Sequence, residues 1–152
     1  MREGGIVLKN KNIFQLIHAT EIINNSNIVY FMKRFPHKIG VTPVLVLAEL
    51  RNSGAQKQTV LADKIGCTPG AMTNISNKLV KAGYAVRKYN DDDRRHVLLD
   101  ITEEGLKVFN EAQAFGREFQ TELFDALTDE EIEQYVNIQD KLLAAAIQRN
   151  EK

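Results

Sequence analysis

Six polar positions punctuate the stretch from Pro69 to Ala82: Gly70, Thr73, Asn74, Asn77, Lys78 and Lys81. Between them Met72, Ile75 and Leu79 recur at helical spacing, so a helix over this stretch turns its apolar side chains inward and the six polar positions outward. Amides and hydroxyls on such a face have the chemistry of base reading, because asparagine can pair bidentately with adenine and threonine can meet a thymine methyl. Lys78 and Lys81 suit phosphate oxygens, as do the unpaired backbone amides of a helix starting at Thr68. Three further cations follow, Arg87, Arg94 and Arg95. A helical face alone would equally describe an ordinary solvated surface; the arginines beyond it favour a polyanionic partner.

These side chains need a scaffold, and the surrounding periodicities supply one. A long helix is predicted over Asn10 to Phe35, with Ile13, Phe14, Ile17, Ile23, Ile28, Phe31 and Phe35 on its apolar stripe. Pro36 ends it, since the residue before proline disfavours helical torsions. Thr42 is expected to cap a second helix with Pro43 in its first turn, running to about Asn52. A short third helix covers about Gln58 to Ile65 and stops at Gly66, with Cys67 before the next start at Thr68-Pro69. Two helices joined by a tight glycine-containing turn form a helix-turn-helix. The period then shortens to two: Tyr84 to Tyr89 and His96 to Ile101 read as strands about the turn cluster Asn90 to Asp93. A helix capped by Thr102 runs to about Leu127, and Thr128 with Glu131 forms a capping box for the last helix, which is expected to fray from residue 148. The fold class expected is mainly α with a small β-hairpin, an α+β arrangement: a winged helix-turn-helix over 42–102 between long helices at 10–35 and 103–149.

Composition narrows the function. Hydrophobic residues make up 43% of the 152-residue chain, ordinary for a globular protomer. The formal net charge of zero conceals segregation: residues 1–56 carry net +4, residues 57–96 net +4 and residues 97–152 net −8. A basic middle beside an acidic end fits one face for a polyanion and one that avoids it. The run Met1 to Lys11 lacks the apolar core and cleavage site of a signal peptide, and no apolar run reaches the ~18 residues of a membrane span. One cysteine, Cys67, allows no internal disulfide, so a cytoplasmic setting without membrane partners is expected. The three histidines are scattered, and no nucleophile–base pairing or phosphate-binding glycine loop is visible. No enzyme, metal or cofactor is expected. The three long flanking amphipathic helices exceed what the small module can cover, and a second copy of the chain is the economical partner for them.

The run from Asp93-Arg94-Arg95 through Leu98-Leu99 to Ile101-Thr102-Glu103-Glu104-Gly105 resembles the wing of the MarR family of multiple-antibiotic-resistance-type regulators. That family shows Asp-x-Arg, a leucine a few residues on, then Leu/Ile-Thr-x-x-Gly. Leu61 to Thr73, the junction Leu79 to Tyr84, and Val41-Thr42-Pro43 are similar to its other segments, so the resemblance extends over about residues 13–147. It implies a homodimer on double-stranded DNA, with the first and last two helices interlocked and the two modules on one duplex. Arg95 is then expected at the wing tip in the minor groove, held by Asp93, with Arg94 and Arg87 on phosphates. Many family members carry arginine where this chain has Asn74, so base preference does not transfer. The resemblance also implies a small-molecule effector, in a cleft lined by Ile17, His18, His37, Val44 and Phe109. The function expected is a sequence-specific transcriptional regulator, a repressor relieved by its effector, on a pseudo-palindromic operator. The alternatives are a winged-helix module for a protein partner, and a thiol-redox regulator acting through Cys67.

Overall fold

The computed structural model describes residues 3–90 and 93–150, and among them the side chains of 12–89 and 97–150. The order is α1 (Glu3–Arg34), α2 (Val41–Ser53), β1 (Gln56–Lys57), α3 (Gln58–Ile65), α4 (Pro69–Lys81), β2 (Ala85–Asn90), β3 (Asp93–Ile101), α5 (Glu103–Phe124) and α6 (Asp129–Asn150). The fold is mainly α with a small antiparallel sheet in the order β1-β3-β2. The chain forms two compact units, Met1–Phe115 and Gly116–Lys152.

The core of the first unit is built from the inward faces of short helices. Val46, Leu47 and Leu50 of α2, Leu61 of α3, Met72 and Leu79 of α4, Leu99 of β3 and Val108 of α5 are essentially removed from solvent. Each side chain of this size contributes about 1.5–3 kcal/mol on burial, so these contacts, rather than helix propensity, hold the short elements together. At the end of α1, Phe31 stacks on Phe35 with ring centroids 4.7 Å apart. Phe115 lies 5.8 Å from Phe31 and 5.7 Å from Phe35. Upstream, Ile13, Phe14, Ile17, Ile23 and Ile28 are exposed, so the predicted stripe of α1 is covered by the chain only at its C-terminal end.

The α3–α4 turn follows the expected chemistry. Gly66 adopts left-handed torsions (φ 74°, ψ 37°). The amides of Gly66 and Cys67 both donate to the Ala62 carbonyl, at 2.9 and 3.0 Å. Thr68 caps α4, its Oγ1 accepting from the Ala71 amide at 3.2 Å, and Pro69 takes the first helical position. At the other end Gly83 (φ 79°) turns the chain so that the Tyr84 amide reaches the Leu79 carbonyl at 2.9 Å.

Several boundaries move. α1 starts at Glu3 rather than Asn10, because the run between them, with Ile6, Val7 and Leu8 in it, contains no proline to stop a helix. α2 starts at Val41 with Gly40 as its N-cap and no side-chain cap, so Thr42 already lies inside the helix. α5 ends at Phe124, short of Leu127, and α6 continues to Asn150 without fraying at 148. The two-residue β1, pairing Gln56 with Leu99 and Lys57 with Leu98, is too short to leave a periodic signal. β2 and β3 pair from Ala85↔Ile101 to Tyr89↔Val97, then shift register to Asn90↔Asp93.

In the second unit the capping box forms as expected: the Thr128 amide donates to Glu131 Oε2 at 2.9 Å and the Glu131 amide to Thr128 Oγ1 at 3.3 Å. Phe124 and Tyr135 pack with centroids 6.0 Å apart, yet no residue of α6 is buried. No helix among the described residues is long and apolar enough to cross a membrane.

Candidate nucleic-acid interface

Helix α4 presents the polar face expected of it: Thr68, Gly70, Thr73, Asn74, Asn77, Lys78 and Lys81 are all exposed. The inward row differs by one residue. Met72, Ser76 and Leu79 are buried, whereas Ile75 is only partly covered. Thr73 Oγ1 donates to the Pro69 carbonyl at 3.0 Å, so its hydroxyl is committed to the helix and its methyl is what remains for a base.

Strand β2 runs beside this face and is tied to it. Arg87 Nη2 donates to Asn77 Oδ1 at 2.5 Å, joining two residues expected to meet DNA separately. Lys88 donates to Asp100 Oδ2 at 2.5 Å across the hairpin, a pairing that the sequence pattern does not reveal. It follows from the strand register, which sets Asp100 diagonal to Lys88. The backbone of 93–96 is strand, but the side chains of Asp93, Arg94 and Arg95 lie outside the described residues.

A carboxylate network braces the helix-turn-helix from behind. Glu49 Oε1 of α2 accepts from Lys64 Nζ of α3 at 2.6 Å, Ser53 Oγ at 2.7 Å and Gln56 Nε2 at 3.1 Å. These donors, the Lys64 ammonium foremost, hold the Glu49 carboxyl at about 2 against the opposing effect of its partial burial. Cys67 is half-buried in the turn between α3 and α4.

On its other side α4 borders a cavity of about 610 Å³ whose walls include His37, Lys38, Thr42, Ile75, Lys78 and Tyr84. His37 anchors one edge, with Nε2 2.6 Å from Glu111 Oε2 of α5 and Nδ1 3.4 Å from the Tyr84 hydroxyl. Of the five residues expected around an effector, His37 alone stands on this wall. Ile17 and His18 are exposed on α1, and His18 is separated from Phe31 by 13 residues of helix, roughly 20 Å. Val44 is partly covered within α2, and Phe109 is buried with the Arg51 guanidinium 5.3 Å from its ring centroid.

The fold and sequence have known relatives. The MarR family model matches residues 41–97. The chain is 34% identical to the HTH-type transcriptional repressor MdtR of Bacillus subtilis (strain 168) over 111 residues, 72% of each chain. The crystal structure of the YusO protein from Bacillus subtilis superposes with a TM-score of 0.73 at 26% identity, over 91% of this chain and 96% of that one. The apo form of wild-type MarR from E. coli shares the fold with a TM-score of 0.71 at 24% identity, over 85% of this chain and 95% of that one. With a polar recognition helix, an adjoining hairpin and these relatives, the chain belongs to the MarR family of DNA-binding transcriptional regulators and is not an enzyme.

Proposed function

We propose that the chain is a cytoplasmic, sequence-specific repressor that binds a pseudo-palindromic operator as a homodimer and leaves it when a small molecule binds. The observation that carries this reading is the exposed polar face of α4 lying beside a hairpin to which it is hydrogen-bonded through Asn77 and Arg87. Residues 42–102 would be the DNA-binding module, with Thr73 and Asn74 in the major groove and Lys78 and Lys81 on phosphates. Arg95 would enter the minor groove with Asp93 behind it and Arg94 on phosphate. Helices at 10–35 and 103–149 would form the dimer, a role supported by the apolar side chains that α1 and α6 leave exposed.

The effector reading is supported by the cavity behind α4, since the inward-turned Ile75 and Leu79 border it and a ligand there would press on the recognition helix from its inner side. The test is a mobility-shift titration on the upstream region of its own gene across a salt series. Binding should prefer one site, and log affinity should fall by about 0.9 per contacted phosphate for each decade of salt. Changing Arg95 to alanine should cost about 1–3 kcal/mol. Salt-insensitive binding blind to sequence would replace this reading with that of a module for a protein partner.

A further inference from the structure

We propose that Arg87 is a positioning residue that sets base preference: it fixes the carboxamide of Asn77 so that the recognition helix presents amide hydrogens, directing Asn77 to guanine rather than adenine. The inference rests on the DNA-binding reading above. It starts from a constraint of chemistry. A guanidinium has five N–H donors and no acceptor, so the atom of Asn77 that faces Arg87 must be its oxygen. That assignment fixes the rotation of the amide, and the two amide hydrogens of Asn77 point away from the oxygen that Arg87 engages.

The pairing of asparagine with adenine needs both ends of the carboxamide: the oxygen accepts from the adenine amino group while the nitrogen donates to N7. In this chain the oxygen already serves Arg87. A second lone pair remains on it, but an adenine amino group approaching there would also meet guanidinium hydrogens, and it has no acceptor to offer them. Guanine presents two acceptors on its major-groove edge, N7 and O6, and suits a surface made only of donors. Asn77 stands on the same helical stripe as Gly70 and Thr73, at i+7 and i+4, on the face that is open to solvent. Arg87 is half-covered, its reach fixed by the β2 backbone paired with Leu99 of β3. The pair therefore couples strand β2 to the reading face of α4, and the base preference of the helix depends on a residue outside it.

The test is selection of operators from a library randomised over the half-site, done with the full-length protein. The wild type should prefer guanine over adenine by about fivefold or more at one base pair, the one whose preference Asn77→Ala abolishes. Arg87→Ala should lose that preference and admit adenine, beyond any loss of non-specific affinity from the missing charge. Arg87→Lys, which keeps a donor opposite Oδ1, should restore the guanine preference. In the Asn77→Ala background, Arg87→Ala should change base preference no further. An unchanged guanine preference in Arg87→Ala overturns the proposal. So does a drop in affinity that is the same for every base at that position, which marks a phosphate contact alone. A wild-type protein with no site preference at all instead overturns the DNA-binding reading on which the proposal stands.

Discussion

Gly105, in the first turn of α5, lies against the carbonyl of Tyr84: a Cβ at position 105 would stand 1.9 Å from that oxygen and 2.8 Å from its carbon. The same carbonyl accepts from the Thr102 amide at 3.2 Å. Thr102 Oγ1 donates to the Gly83 carbonyl at 2.6 Å and accepts from the Gly105 amide at 3.0 Å. The junction between the recognition helix and the hairpin is thereby seated on the start of α5, and the contact is backbone on backbone. Neither side can yield by rotating a side chain. Gly105→Ala is expected to destabilise the fold by about 3 kcal/mol, the upper range for overpacking. The urea unfolding midpoint measures it, and a near-wild-type value would show that the junction moves freely.

Ser76 presents the opposite case, a polar group in the core. Its hydroxyl is fully buried on the inward side of α4 with no hydrogen-bond partner among the described residues. A buried hydroxyl without a partner carries a desolvation cost that is not returned. Ser76→Ala removes it with almost no change in volume. The variant is expected to be more stable by about 1 kcal/mol, with DNA affinity unaltered because the position faces inward. A fall in thermal midpoint would mean that the hydroxyl does find a partner in solution.

Ser76 and Gly105 also mark where reading the sequence reaches its limit. The wing-end pattern Ile101-Thr102-x-x-Gly105 was visible, but that a Tyr84 carbonyl occupies the space of a Cβ depends on tertiary placement. Helix existence, the Gly66 turn, the Thr68 cap and the Thr128 box were legible because each is decided within a few residues. Ser76 stands on neither face in the sequence pattern, because a hydroxyl carries no hydrophobic signal, while Ile75 turns partly toward a cavity. The polar face of α4 was readable from spacing alone. The pairing of Asn77 with Arg87 was not, because ten residues and a change from helix to strand separate them. Likewise the cavity wall joins the α1–α2 connection to α4 and Tyr84, a contact that periodicity along one helix cannot indicate.

The Glu49 network predicts a pH dependence of known sign. The folded carboxyl titrates at about 2, below its ordinary value of 4.5, so between these values the unfolded chain binds more protons than the folded one. The stabilisation is therefore complete above about pH 5 and is lost as pH falls toward 2. Glu49→Gln removes the charge while keeping an oxygen toward Lys64. At neutral pH the wild type should show the higher urea midpoint, and the gap should close progressively below pH 4. A gap that is constant with pH would show that the charge on Glu49 does not contribute.

The apolar side chains of α6 supply a prediction about assembly. Val136, Leu142, Leu143 and Ile147 are all at least half exposed, on a helix with no buried residue, and α1 exposes Phe14 and Leu16 in the same way. An amphipathic helix left uncovered to this degree requires a partner surface, and a second copy brings the same stripes. Sedimentation should give a species of twice the 17.2 kDa chain mass. The double change Leu142→Glu with Ile147→Glu should yield the mass of one chain with helix content retained by circular dichroism. Losing the second binding module should then weaken operator binding by about a hundredfold, because the second half-site is no longer engaged intramolecularly. A dimer that survives both glutamates would place the interface elsewhere on the chain.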